Sequence, residues 1–180
     1  RGTSAVDGTF LAELEQWRRA LAQDIAVRNT SLTPGQLNFA VQQIIDRVIF
    51  LRVAEARGIE VYGQLQSLLA GLDIYSELVK LFNRAGERYN SRLFHFSRQV
   101  SQPEEPDELT PALQVGNDTL ARILRRLYCP ESPYEFSVLP TAILGQVYEQ
   151  FLGRVVMLNS SRQAEVVLKP EVRKAGGVYY

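Results

Sequence analysis

Cysteine, histidine and methionine each occur once in the 180-residue sequence, as Cys129, His95 and Met157. A single cysteine cannot form a disulfide within the chain, and one cysteine with one histidine cannot complete the four-ligand set of an ordinary zinc site. His95 lies between Phe94 and Phe96, so we interpret it as a packing residue, because no partner for proton transfer is evident. These shortages exclude disulfide-rich proteins and cysteine-histidine zinc modules.

An excess of either charge is also absent, since 20 Lys and Arg balance 20 Asp and Glu. A dedicated nucleic-acid-binding module has a strongly basic surface, so the balance argues against that class but permits local basic patches. No run of about 20 apolar residues occurs, and the start of the chain lacks the apolar core of a signal peptide. We therefore expect a cytoplasmic protein without a membrane partner.

The residues that are present favour helices. Hydrophobic residues make up 46% of the chain, which is enough for one sizeable core. Apolar residues recur at steps of three and four, and Thr33, Pro34 and Gln36 form the pattern of a capping box at one helix start. The predicted helices span about 9–28, 34–58, 64–70, 74–90, 117–129 and 140–153. Asp73 and Asn117 are predicted to cap the fourth and the fifth of them.

The remaining segments are irregular or β. Segment 91–116 has no periodicity, and its acidic, proline-containing part at 102–111 predicts an exposed loop. Segments 154–158 and 164–168 read as two short strands around a polar turn. We predict a mainly α protein: a bundle of about six helices with a small C-terminal β-hairpin. Residues 1–8 would be a linker or a cloning remnant, 9–153 the helical domain and 154–180 a hairpin with a segment leading into a further domain.

Charged residues on the second predicted helix are unusual. A step of 100° per residue places Arg52 and Glu55 in the same sector as its apolar stripe, and three positions apart they are neighbours. We expect the two to pair with each other. Because buried charges need partners, each would otherwise find one elsewhere in this domain or across an interface to a neighbouring domain. Arg47 lies beside the stripe and would belong to the same network. All three are interpreted as structural rather than catalytic.

Two basic groups are candidates for contact with a DNA backbone, which would be weak and independent of sequence. The first, Arg122, Arg125 and Arg126, lies on the polar face of a helix, where a solvated surface is the ordinary alternative. The second group is near the C-terminus and consists of Arg154, Arg162, Lys169, Arg173 and Lys174.

Three segments carry a resemblance to a known family. Segment 37–58 contains Asp-Arg, an apolar-Phe-Leu-Arg stretch, Glu and Arg-Gly; segment 144–153 reads Leu-Gly-Gln-Val-Tyr-Glu-Gln-Phe-Leu-Gly; and the chain ends Arg-Lys-Ala-Gly-Gly-Val-Tyr-Tyr. In this order they resemble the helical connector before the adenine-N6 methyltransferase domain of fused type II (type IIG-like) restriction-modification enzymes and related phage-defence methylases. The Thr-Pro that follows this ending in the family is not present here.

The resemblance implies a parent enzyme that methylates adenine in DNA with S-adenosylmethionine and that also cleaves DNA with Mg²⁺. Gly177, Tyr179 and Tyr180 would border the cofactor pocket only beside the methyltransferase domain. Gly145 would allow close helix packing, with Tyr148 and Glu149 held against the C-terminal segment. Neighbouring nuclease and methyltransferase domains of the same polypeptide, and DNA, are the implied partners.

The sequence itself predicts no catalytic site, metal or cofactor within these residues. An Asn/Asp-Pro-Pro-aromatic motif for a flipped adenine is absent, as is a Gly-rich turn for the cofactor. Asp107 followed by Glu165 and Lys169 invites a nuclease assignment, but Glu165 and Lys169 would lie about 13 Å apart on a strand, too far for one metal site. If the resemblance is set aside, the composition equally fits an independent helical adaptor that binds a protein partner.

Overall fold

The computed structural model describes residues 2–89, 91–97, 105–134, 136, 154–158 and 163–168. These residues are mainly helical, which confirms the predicted class. Five α-helices lie in the described part: α1 Gly2–Arg28, α2 Pro34–Ala56, α3 Gln64–Ser67, α4 Ile74–Arg88 and α5 Asn117–Arg125. Short 3-10 turns occur at Leu68–Ala70, Arg92–Phe94 and Thr110–Ala112. The sixth predicted helix, at 140–153, lies outside the described residues.

Helix α2 begins where its local sequence predicts. The Thr33 side chain accepts a hydrogen bond from the Gln36 backbone N–H at 3.1 Å, and the Gln36 side chain accepts one from the Thr33 N–H at 3.0 Å. These bonds confirm the predicted capping box, with Pro34 in the first turn. At the other end the chain leaves the helix through Gly58, whose φ of 74° suits a residue without a side chain.

Helix α1 begins earlier than predicted. It starts at Gly2 rather than near Thr9, so the segment predicted as a linker is helical from its second residue. Residues 2–8 read Gly-Thr-Ser-Ala-Val-Asp-Gly, which carries no apolar stripe and therefore gives no periodic signal. From Phe10 onward the stripe is present and buried, with Phe10 1% and Leu14 0% exposed.

The sequence predicts that Asp73 caps α4 and that Asn117 caps α5. The structure confirms this for Asp73 only. The Asp73 carboxylate accepts a hydrogen bond from the Ser76 N–H at the start of α4. The residue before α5 is Gly116, which has no capping side chain, so the prediction that Asn117 caps α5 is wrong. Asn117 instead accepts from the Ile74 N–H at 3.0 Å and donates to the Leu72 carbonyl at 2.7 Å. It therefore joins the starts of α4 and α5.

The core lies between α1 and α2, with α4 and α5 packed around them. Its most buried large side chains include Leu14, Leu21, Ile44 and Leu78. Strands β1 (Arg154–Leu158) and β2 (Ala164–Leu168) pair antiparallel, with Arg154 opposite Leu168. The Ala164 N–H donates to the Gln23 side chain at 2.9 Å, which fixes β2 to α1. Within the described residues, no helix combines the length and the apolar character that crossing a membrane requires.

Candidate functional site

Helix α2 carries three buried ionisable side chains, which we call the α2 charge triad: Arg47, Arg52 and Glu55. They are 1%, 6% and 3% exposed, respectively. Burial of a charge is costly unless hydrogen bonds and an opposite charge compensate it. The partners of the triad therefore show what this helix holds in place.

Arg47 binds the segment that follows α4. Its Nη2 lies 2.8 Å from Oδ2 of Asp107, and its Nε donates to the Leu93 carbonyl at 2.7 Å. The guanidinium also lies over the Phe96 ring, 4.5 Å from the ring centre. Burial lowers the pKa of Arg47, and the hydrogen bond to Asp107 opposes this shift. One side chain thus ties two stretches of the irregular region to α2.

Asp107 departs from the prediction of an exposed acidic loop. It is 9% exposed, its Oδ1 accepts from the Thr110 N–H at 2.9 Å, and its own N–H donates to the His95 carbonyl at 2.8 Å. The prediction is wrong at this residue because Arg47 offers a buried positive partner that composition alone cannot show. His95 is itself buried, at 6% exposed. A carboxylate held by Arg47 is poorly placed to bind a metal ion.

Arg52 does not pair with Glu55, so that prediction is wrong. Its Nε donates to the Leu127 carbonyl at 2.8 Å. The guanidinium lies against the rings of Tyr128 and Phe136, 4.6 and 4.9 Å from their centres. Arg52 therefore fixes the segment after α5, and the aromatic rings replace much of its lost contact with water.

Glu55 receives three hydrogen bonds. The Gly63 N–H donates to it at 2.7 Å, the Leu65 N–H at 3.2 Å and the Tyr128 hydroxyl at 2.6 Å. Both N–H groups lie at the start of α3, where helix geometry leaves them without backbone acceptors. Three positions apart, Arg52 and Glu55 were close enough to pair, but each finds better-placed partners on other segments.

The predicted arginine surface on α5 is smaller than expected. Arg126 is engaged by Glu13 of α1, with Nε–Oε1 2.7 Å and Nη2–Oε2 3.2 Å, and it also donates to the Glu131 carbonyl. The hydrogen bond from Arg126 to Glu13 raises the pKa of the guanidinium. Arg122 and Arg125 are exposed. Two of the three arginines are thus presented to solvent.

Most of the other predicted site residues lie outside the described part of the chain. These are Gly145, Tyr148, Glu149, Arg162, Lys169, Arg173, Lys174, Gly177, Tyr179 and Tyr180. Arg154 is the first residue of β1. In the described ranges no group of three or more His, Cys, Asp or Glu is placed to hold a metal ion.

Sequence reasoning missed an open groove along the outer face of α2. It has a volume of about 510 Å³ and is lined by Asp46, Ile49, Phe50, Val53, Ala54, Arg57, Ile59, Tyr89 and Leu93. The signal was available in part, because Phe50 and Val53 lie off the main apolar stripe. Periodicity alone does not show whether a second apolar strip is covered by the fold.

Asp46 is the acidic residue of this groove. Burial raises its pKa to about 6, opposed by the hydrogen bond from Gln42 and by the charges of Arg18 and Arg47. The Gln42 Nε2 donates to Asp46 at 2.8 Å, and the buried Arg18 of α1 donates to Gln42 at 2.7 Å. The carboxylate is thus joined to α1 through one intermediate side chain.

Replacing Asp46 by asparagine is expected to stabilise the protein by about 1–3 kcal/mol at pH 7.5. The folded state binds the Asp46 proton more tightly than the unfolded state, so the contribution of Asp46 to stability falls as pH rises from about 4 to about 6. Asparagine keeps the acceptor for Gln42 and removes this ionisation. Urea unfolding at pH 7.5 and pH 4 measures the gain, with Glu87→Gln at an exposed position as the control. A gain that is equal at both pH values would contradict the assignment.

Comparison with known proteins adds one relative. Over 167 residues the chain is 35% identical to the type II restriction enzyme and methyltransferase RM.Eco57I of Escherichia coli. The similarity supports a relationship with restriction-modification enzymes. The alignment covers 93% of this chain but 16% of RM.Eco57I, so the chain corresponds to about one sixth of the length of that relative. No protein-family model matches the sequence. No solved structure matches it either.

Proposed function

We propose that this chain is a non-catalytic helical connector of a restriction-modification DNA methyltransferase, which positions neighbouring domains on DNA. The observation that carries the proposal is the α2 charge triad. The buried ionisable groups of α2 would attract a catalytic assignment. All three instead hold other segments to α2: Arg47, Arg52 and Glu55. Groups so engaged are suited to maintaining shape rather than to exchanging protons with a substrate.

The relative supports the context of this proposal. RM.Eco57I is named as both a restriction enzyme and a methyltransferase, and this chain aligns with about one sixth of it. The parent of this chain would transfer a methyl group from S-adenosylmethionine to adenine N6 and cleave DNA with Mg²⁺, using domains beyond the described residues. Here Gly177, Tyr179 and Tyr180 are proposed to border the cofactor pocket.

A connector that positions domains has to be rigid, and the triad supplies long-range restraints. Arg47 restrains the segment after α4, Arg52 restrains the segment after α5, and Glu55 restrains the start of α3. Because all three originate on one helix, displacement of any of these segments breaks a buried polar contact. We infer that the triad keeps the connector a single body while it transmits position between domains.

Weak DNA binding that depends on salt but not on sequence is the expected property of the isolated chain. About three neutralised phosphates would give roughly a 20-fold loss of affinity between 50 and 150 mM salt. Fluorescence anisotropy with two unrelated 20-base-pair duplexes measures this. The double variant Arg122→Ala/Arg125→Ala should bind more weakly on both duplexes, whereas Arg19→Ala/Arg84→Ala, also at exposed positions, should not.

An independent protein-interaction adaptor is the second candidate, and the groove beside α2 is the observation that favours it. The anisotropy experiment separates the two functions. No association with either duplex at 25 mM salt would contradict the DNA-positioning proposal and leave the adaptor as the better account.

A further inference from the structure

The groove on α2 has the form of a preformed binding surface. Phe50 forms one part of its wall and is 38% exposed, yet its ring packs edge to face against Tyr89 and Phe94, with ring centres 5.3 Å apart in both cases. The Tyr89 hydroxyl donates to the Glu60 carboxylate, which fixes the Tyr89 ring beside Phe50. The apolar surface is therefore held open by its neighbours, without a covering segment among the described residues.

The groove lining includes exposed apolar residues. Ile59 in the lining is 54% exposed, and Val61, two residues further along the chain, is 72% exposed. Isolated exposed apolar residues are ordinary in folded proteins, but contiguous ones along a concave surface are typical of contact sites. Phe50 and Ile59 are exposed apolar residues of this kind, because both line the groove.

The length of the groove fits a helix better than a compact small molecule. Asp46 and Arg57, both lining residues, are separated by three turns of α2, or about 16 Å at 1.5 Å per residue. An amphipathic helix that lies in such a groove inserts apolar side chains at positions i, i+4 and i+7, which span about 11 Å. A helix of about three turns therefore matches the groove in length.

Charge identifies one further feature of the occupant. Asp46 is the acidic lining residue, and Arg57, the basic one, lies about 16 Å away along α2. The groups that lower the pKa of Asp46 are Gln42, Arg18 and Arg47, which belong to α1 and α2 and do not line the groove. A positively charged side chain that approached Asp46 from the open side of the groove would stabilise its ionised form, which burial destabilises. An anion there would be repelled.

We propose that the groove binds an amphipathic helix of a neighbouring protein domain, which places apolar side chains against Phe50, Val53 and Ile59 and a lysine or arginine beside Asp46. This inference rests on the proposed role of the chain as a segment that packs against other domains. To the proposed function it adds the surface that binds the partner, the helical structure of the partner and the positive charge that the partner places beside Asp46.

Matched peptides test the proposal. Two alanine-rich helical peptides of about 15 residues would carry leucine at i, i+4 and i+7 and, one turn before the first leucine, either lysine or glutamate. Titration into the ¹⁵N-labelled chain is followed by amide chemical shifts. We expect shifts at Phe50, Val53 and Ile59 and roughly tenfold tighter binding of the lysine peptide. Asp46→Asn should reduce that preference to about one.

Surface variants provide the control. Ile59→Glu, at an exposed position in the groove, should weaken both peptides at least fivefold, whereas Leu72→Glu, at a position that is 97% exposed and outside the groove, should not. Three outcomes would each overturn the proposal. The first is equal affinity for the lysine and glutamate peptides, and the second is chemical shift changes that map outside the groove. The third is shifts that depend on protein concentration without peptide, which would indicate a second copy of the chain in the groove. The DNA anisotropy result is independent, so failure of the groove and failure of the connector function are distinguishable.

Discussion

Replacing Arg47 by methionine is expected to lower the free energy of unfolding by about 3–5 kcal/mol, because removal of one partner of a buried ion pair leaves an uncompensated charge. Asp107 would remain buried with its Thr110 and His95 contacts but without its cation, and the Leu93 carbonyl would lose its donor. For a chain of this size, the loss corresponds to a melting temperature about 10 °C lower. Urea unfolding at pH 7 measures the free energy, and calorimetry measures the melting temperature.

A second variant separates the ion pair from simple loss of packing. Arg47→Met/Asp107→Leu removes both charges and should recover at least half of the stability lost in the single variant. Lys80→Ala removes the cation of the exposed Glu77–Lys80 pair and should change stability by about 0.5 kcal/mol or less. If Arg47→Met behaves like Lys80→Ala, the buried pair does not hold the irregular region to α2.

Replacing Glu55 by alanine is expected to cost about 3–4 kcal/mol, since two backbone N–H groups and one hydroxyl lose their acceptor together. Gly63 and Leu65 lie at the start of α3, and Tyr128 lies after α5, so both segments should loosen at once. Hydrogen exchange of the Gly63 and Leu65 amides reports the first segment. Urea unfolding reports the total.

The graded variants of this site are Glu55→Gln and Tyr128→Phe. Glutamine keeps one acceptor oxygen but turns an amide towards a donor, so it should cost about half as much as alanine. Tyr128→Phe removes one hydrogen bond and should cost about 1 kcal/mol. If Glu55→Gln is as damaging as Glu55→Ala, the carboxylate contributes through its charge rather than through the number of bonds it accepts.

Local signals in the sequence predicted local structure well. The capping box at Thr33 and the cap at Asp73 depend on residues within one turn, and both are present. The apolar stripes located α2 and α4 because a helix repeats every 3.6 residues. The start of α1 was misplaced because residues 2–8 are mostly small or polar, so no apolar stripe marks them.

Long-range partners could not be read from the sequence. A buried position for Arg52 and Glu55 followed from periodicity, but their partners Leu127, Tyr128 and Gly63 come from distant segments. Asn117 shows the same effect, since a residue type that favours its own helix start instead bonds to the start of another. The fold decides which of several chemically adequate partners is near.

The groove was missed for a related reason. Phe50 belongs to α2, but periodicity assigns residues to faces and does not reveal how many faces the rest of the chain covers. The raised pKa of Asp46 likewise depends on burial by neighbouring elements. Both the groove and the raised pKa of Asp46 arise from the packing of α1, α2 and the turn after α4 against one another.

The positioning role is tested most directly by the methylation and cleavage activities proposed for the full polypeptide, measured side by side for wild type and Glu55→Ala. Methyl transfer from S-adenosylmethionine and Mg²⁺-dependent cleavage would be assayed on the same DNA, with Glu87→Gln as the control. A connector that positions both activities predicts that Glu55→Ala lowers the two rates in parallel, with Glu55→Gln between it and wild type. Unchanged rates in a variant whose connector is measurably destabilised, or loss of one activity alone, would contradict the account.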